Sequence, residues 1–191
     1  QGKYIEAESL YKRAQAIRET VLGPEHPDVA ATLNNRAGLL ACLGKHIEAE
    51  PLYERSHAIR EKVLGPQHPD VAATLNNRAG LLANQGKYEE AESLYRRSLA
   101  IDEKFYGLDH PEIVKDLKNW AGLLEAQEKY AEAVSLLERT LRICTKKLGG
   151  NHQDTVSTRR LLELVREKVG AQLGPSFRQA SCTTHRAKTC H

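Results

Sequence analysis

Gly23-Pro24-Glu25-His26-Pro27-Asp28-Val29-Ala30-Ala31-Thr32-Leu33-Asn34-Asn35-Arg36-Ala37-Gly38-Leu39-Leu40 returns almost unchanged as Gly65 to Leu82. A worn third copy runs from Gly107 to Leu124. Gly44-Lys45 returns as Gly86-Lys87, 42 residues on. A fixed period of this size is the mark of stacked supersecondary units, which form an extended surface rather than one closed core.

Within one period the spacing predicts two helices. Val29, Leu33, Ala37 and Leu40 recur at helical intervals after Pro27, a residue suited to a first turn. Gly44 follows the last apolar residue as a left-handed cap. Ala49, Leu52, Tyr53, Ser56 and Ile59 form one face of a second helix, with Pro51 near its first turn. Gly65-Pro66-Gln67-His68-Pro69 then breaks the chain and opens the next unit. Along the sequence this gives a half repeat at 1–22, repeats at 23–64, 65–106 and 107–148, and a capping helix at about 153–169. Residues 1–170 thus form the array, and 171–191 read as a flexible tail. The opening Gln1-Gly2-Lys3-Tyr4 matches Gln85-Gly86-Lys87-Tyr88, the middle of a repeat. The chain also lacks methionine, so it is expected to be a piece of a longer protein.

The 191 residues carry a net charge of +3, with 40% hydrophobic and 28% charged residues. That supplies a continuous core and argues against wholesale disorder. No apolar run approaches the roughly 20 residues of a membrane span. The charge is too small, and aromatic residues too few at 5%, for a nucleic-acid stripe. Cys42, Cys144, Cys182 and Cys190 have no framework spacing, so a reduced, cytoplasmic setting is expected.

Gly44, Ala49, Tyr53 and Ser56 fall at the turn-glycine, small, aromatic and small positions of the tetratricopeptide repeat, which the chain resembles. The period and the Gly-Pro-x-His-Pro-Asp-Val-Ala-x-Thr-Leu-Asn-Asn signature are similar to the kinesin-light-chain type. That type also occurs in nephrocystin-3-like proteins and in receptor-like proteins with an NB-ARC ATPase domain. The resemblance covers about residues 2–150. It implies an all-α fold, a right-handed superhelical α-solenoid of stacked antiparallel helix hairpins. It also implies an extended peptide in a concave groove lined by the first helix of each pair.

On those helices Asn34 and Gly38 share a stripe with Ala41, and Asn35 lies beside it with Cys42. The next copies are Asn76, Asn77, Gly80 and Asn84, then Lys118, Asn119 and Gly122, with Lys115 on the rim. Amides both donate and accept, so such a ladder suits a peptide backbone. Glycines permit close approach. Lys115 and Lys118 make one end basic and suited to an acidic group. A competing reading has the amides bonding neighbouring helices and the glycines serving helix packing.

Arg36 and Arg78 sit on the apolar stripe and are expected to pair with a glutamate such as Glu50 or Glu92. Trp120 is expected to pack the third repeat, with an aromatic wall for a ligand as the alternative. His26, His68, His110 and His152 are one repeat apart, too far for one metal shell, and are expected to cap helices. Cys182, His185, Cys190 and His191 suit zinc by type but not by spacing. No metal, cofactor or catalytic constellation is expected. The leading reading is a non-enzymatic scaffold binding an extended, acidic peptide, with no nucleic-acid or membrane partner. The alternatives are a self-associating array, joined through an uncovered face of Ile5, Leu10, Ala14, Ile17 and Val21, or a sensor region of a larger NB-ARC-type receptor.

Overall fold

The computed structural model describes residues 2–172, with side chains from residue 3. Those residues are all-α: α1 (Gly2–Leu22), α2 (Pro27–Cys42), α3 (His46–Leu64), α4 (Pro69–Asn84), α5 (Tyr88–Tyr106), α6 (Val114–Ala126), α7 (Tyr130–Lys147) and α8 (Gln153–Gln172). A 3₁₀ turn, Pro111–Ile113, leads into α6, where the sequence predicts an α-helix from 112. Most of the expected tail lies outside the described residues, as do Cys182, His185, Cys190 and His191.

The first helix of each hairpin and α8 start with the same chemistry, whereas α3, α5 and α7 start without a side-chain cap. His26 Nδ1 accepts the Asp28 amide at 3.1 Å, and Pro27 occupies the first helical position. His68 and His110 do the same for Asp70 and Glu112, at 3.1 and 3.3 Å. His152 accepts the Asp154 amide at 3.2 Å. One orphan N–H at each of these four starts is thereby satisfied.

Each first helix ends in a Schellman turn. Gly44 has φ +75°, its N–H bonds Ala41 O at 3.0 Å, and Lys45 N–H bonds Leu40 O at 2.9 Å. Gly86 repeats this. The third copy keeps the turn without glycine: Glu128 adopts φ 60°, and Lys129 N–H bonds Leu124 O at 2.8 Å. Pro51 lies inside α3, one turn deeper than the sequence reading places it. Its ring therefore removes an interior hydrogen bond, to Ile47 O, rather than an orphan of the first turn.

The described chain divides into two compact units, one ending at Asn119 and one beginning at Trp120. In the first, Val29 and Leu33 at the start of α2 pack on Ile59 at the end of α3. Ala37 and Leu40 meet Ala49 and Tyr53 near its beginning, so the pair is antiparallel. Leu81 of α4 joins the same cluster and carries the core into the next hairpin. Val71, Leu75 and Ile101 repeat the contact between α4 and α5.

Successive hairpins of this unit are also tied by a repeated arginine latch, exposed at Arg18 and buried at Arg60. Arg18 Nη1 donates to Thr32 Oγ1 at 2.6 Å and to Asp28 O at 3.1 Å. Arg60 Nη1 donates to Thr74 Oγ1 and to Asp70 O, both at 2.8 Å. Burial lowers the Arg60 pKa from its ordinary value, with Asp70 opposing. Ser56 and Ser98 hydroxyls donate to Ala30 O and Ala72 O at 2.8 Å, joining the two helices of each hairpin.

In the second unit Ala121 and Leu124 pack on Ala133 and Leu137 of α7 and on Leu162 and Val165 of α8. Trp120 lies against this cluster, in the packing role the sequence suggests. Lys168 pairs with Glu125 at 2.6 Å, and Arg166 with Glu138 at 2.7 Å.

Candidate functional site: a polar groove

The first helices of the hairpins present their polar stripes side by side. Between them lies an open pocket of about 480 Å³, wholly within the first unit. Asn34, Asn35 and Gly38 line it from α2. Asn76, Asn77, Gly80 and Asn84 line it from α4, and Asn119 from α6. Lys115 is exposed at the rim, with Nζ 3.4 Å from Asn77 Oδ1. Lys118 is half-buried and lies outside the lining.

The amides are bonded to one another, both across helices and within α2. Asn77 Nδ2 donates to Asn34 Oδ1 at 3.2 Å, and Asn34 Nδ2 donates to Asn35 Oδ1 at 3.3 Å. Asn119 Nδ2 donates to Asn76 Oδ1 at 2.6 Å. Asn76 Nδ2 donates to the buried carboxyl of Asp116. Asn34 and Asn76 are buried floor groups whose bonds run largely to neighbours. Asn35, Asn84 and Asn119 are exposed and keep bonding capacity towards the pocket.

Two of the inner glycines lie against tyrosine hydroxyls of the second helices. A Cβ added at Gly38 would lie 3.4 Å from Tyr53 Oη, and one at Gly80 would lie 3.4 Å from Tyr95 Oη. Both phenols reach the pocket, with Tyr11 at the matching position on α1. Burial pushes Tyr53 up to about 12, and burial with the nearby Asp116 pushes Tyr95 up to about 12. In the third copy the tyrosine is Leu137, and nothing lies within 4 Å of a Cβ at Gly122. The signal for these tyrosines is the period itself, since Tyr11, Tyr53 and Tyr95 stand 42 residues apart.

Arg78 Nη2 meets Glu54 at 2.6 Å and Glu50 at 3.7 Å, the second an expected partner. Arg36 instead donates to Gln15 Oε1 at 3.0 Å. The copy of Glu54 there is Lys12, and the copy of Glu50, Glu8, is already taken by Lys12 and Lys45. Arg36 thus finds an amide in place of the expected carboxylate. Glu92 pairs with Arg96 on its own helix at 2.6 Å. Among the described residues no cluster of three metal-ligating side chains occurs. No described helix is long and apolar enough to cross a membrane.

The sequence profile of the tetratricopeptide repeat matches residues 1–40, 28–104, 70–119 and 115–171. Among solved structures, the chain is similar to a Podosopora anserina protein assigned as a kinesin light chain, with nearly identical TPR-like repeats. The likeness to that protein is 26% identity and TM-score 0.74, over 99% of this chain and 90% of the other. A point variant of the same protein gives 27% and 0.75, over 97% and 86%. The chain is also similar to BtubC (BKLC) from P. vanneervenii, at 25% identity and TM-score 0.78, over 98% and 72%. No curated protein matches the chain.

Proposed function

The chain belongs to the tetratricopeptide-repeat family, a protein-interaction fold, and on that premise we propose that its polar groove holds an extended peptide. The observation that supports this most is the division of labour among the amides. Asn34 and Asn76 are occupied in the floor, while Asn35, Asn84 and Asn119 stand exposed around the pocket. Rigid, pre-bonded amides can meet a peptide backbone with little ordering cost. Such contacts read the main chain more than the side chains. Lys115 at the rim, with Lys118 one turn along the same helix, favours an acidic group at that end. No chemistry on the ligand is part of this reading.

The test is a titration of the chain with a fluorescein-labelled, glutamate-containing decapeptide selected by display against it. Asn35→Ala with Asn119→Ala should weaken binding about tenfold, two net hydrogen bonds' worth. Lys115→Glu should weaken the acidic peptide more than its glutamine version. Unchanged affinity in all of these variants would remove the groove reading.

A second reading rests on α1. Ile17 is 53% exposed, whereas its copies Ile59 and Ile101 are 5% and 2% exposed under a first helix. Ile5, Leu10 and Val21 are exposed beside it. Such a face supports self-association. Sedimentation velocity should then show a mass that rises with concentration and reverts in Ile17→Glu. A constant monomer mass would discard this reading.

A further inference from the structure

Two positions of the repeat change together. Arg18 and Thr32, then Arg60 and Thr74, form the arginine latches; their next copies are Asp102 and Asp116. Asp116 is 4% exposed, and its Oδ1 accepts from Asn76 Nδ2 and, at 3.4 Å, from Ser98 Oγ. Asp116 Oδ2 and Asp102 Oδ1 are both buried without a donor. The two carboxyls lie within hydrogen-bonding reach of each other. Two ionised carboxylates there would repel and leave both oxygens unsatisfied; a single proton between them removes both penalties.

We propose that Asp102 and Asp116 share one proton in an acid–carboxylate hydrogen bond, a pH-sensitive latch that joins α5 to α6 and fixes the Asn76 amide. It stands where the earlier junctions use arginine and threonine. The groups around it come from α4, α5, α6 and the turn before α6. From α5 come Ser98 and Tyr95, and from α4 comes Asn76. The 3₁₀ turn before α6 brings Glu112, which disfavours ionisation of Asp102, and α6 itself brings Lys115, which favours it at both carboxyls. Tyr106 is held above its ordinary range by burial, then by Asp102, Glu112 and Asp70.

Burial first, then Asp102, pushes Asp116 up to about 8, and burial raises Asp102 as well. In the unfolded chain this carboxyl ionises near 3.8. Between those values the folded form holds a proton that the unfolded form has lost. Stability therefore falls as pH rises from about 4 to about 8 and levels off above.

The experiment follows the thermal midpoint of the ligand-free chain by circular dichroism from pH 5 to pH 9, beside Asp116→Asn. Asparagine can keep the bonds from Asn76 and Ser98 and donate permanently to Asp102. The native chain should lose several degrees over this range, while Asp116→Asn stays nearly flat and is the more stable of the two at pH 9. Carboxyl ¹³C resonances should show an aspartate titrating near pH 8 that Asp116→Asn abolishes. The joint change Asp102→Arg with Asp116→Thr should rebuild the arginine latch and also flatten the profile. Parallel slopes in the native chain and a folded variant, with every aspartate titrating below about pH 5, would overturn the proposal. No peptide is present in these measurements, so they stand or fall apart from the groove reading.

Discussion

Arg60 on α3 reaches Thr74 on α4 with Nη1 2.8 Å from Oγ1, inside the protein rather than on its surface. The same guanidinium nitrogen holds Asp70 O. Arg60→Met should keep the apolar stem and lose both bonds, costing about 1.5–3 kcal/mol. The exposed pair of Arg97 and Glu61, at 2.6 Å, is the control. Arg97→Met should cost under about 1 kcal/mol. Urea unfolding of the two variants distinguishes the buried tie from the surface one.

The hydroxyl of Tyr95 beside Gly80 makes the three inner glycines unequal. Gly122→Ala should gain about 0.5–1 kcal/mol from helix propensity alone, because nothing lies near its Cβ. Gly80→Ala should gain less, since its Cβ meets Tyr95 Oη. Adding Tyr95→Phe to Gly80→Ala should recover the difference, read as a non-zero coupling energy in a double-mutant cycle.

Glu128 holds a conformation that Gly44 and Gly86 hold without a Cβ penalty. Glu128→Gly should stabilise the chain by about 1 kcal/mol. The reverse change, Gly86→Glu, should destabilise it by a similar amount. Thermal midpoints moving in opposite directions are the expected result.

The histidine caps follow from geometry alone. His68→Ala should cost about 1 kcal/mol by freeing the Asp70 amide, whereas His68→Asn should retain most of the stability. Amide exchange at Asp70 is the local readout and should quicken only in the alanine variant.

The repeat and its helices were legible because the period states them several times over. His26, His68, His110 and His152 read correctly as caps, since each stands before a helix start and pairs with a nearby amide. The groove's outline was legible for the same reason: eight of its expected residues line one pocket. The direction of each amide was not. Asn34 and Asn76 are identical copies, yet Asn76 donates to Asp116 and Asn34 to Asn35. That difference depends on side chains about 40 residues away, where the period has failed. Arg36 and Arg78 diverge likewise, because Lys12 stands where the next copy has Glu54. The latch was visible only as a paired change, arginine with threonine giving way to two aspartates.

The two arginine latches are alike down to their acceptors, and this makes the length of the chain adjustable in whole steps. Excising residues 24–65 would leave Arg18 as far along the chain from Thr74 as it now is from Thr32. Gln15 would likewise face Arg78 in place of Arg36. Recombination between near-identical copies can therefore add or remove a unit without inventing a new interface. The span of ligand such a protein grips can be lengthened by counting, before any residue of the groove has to change.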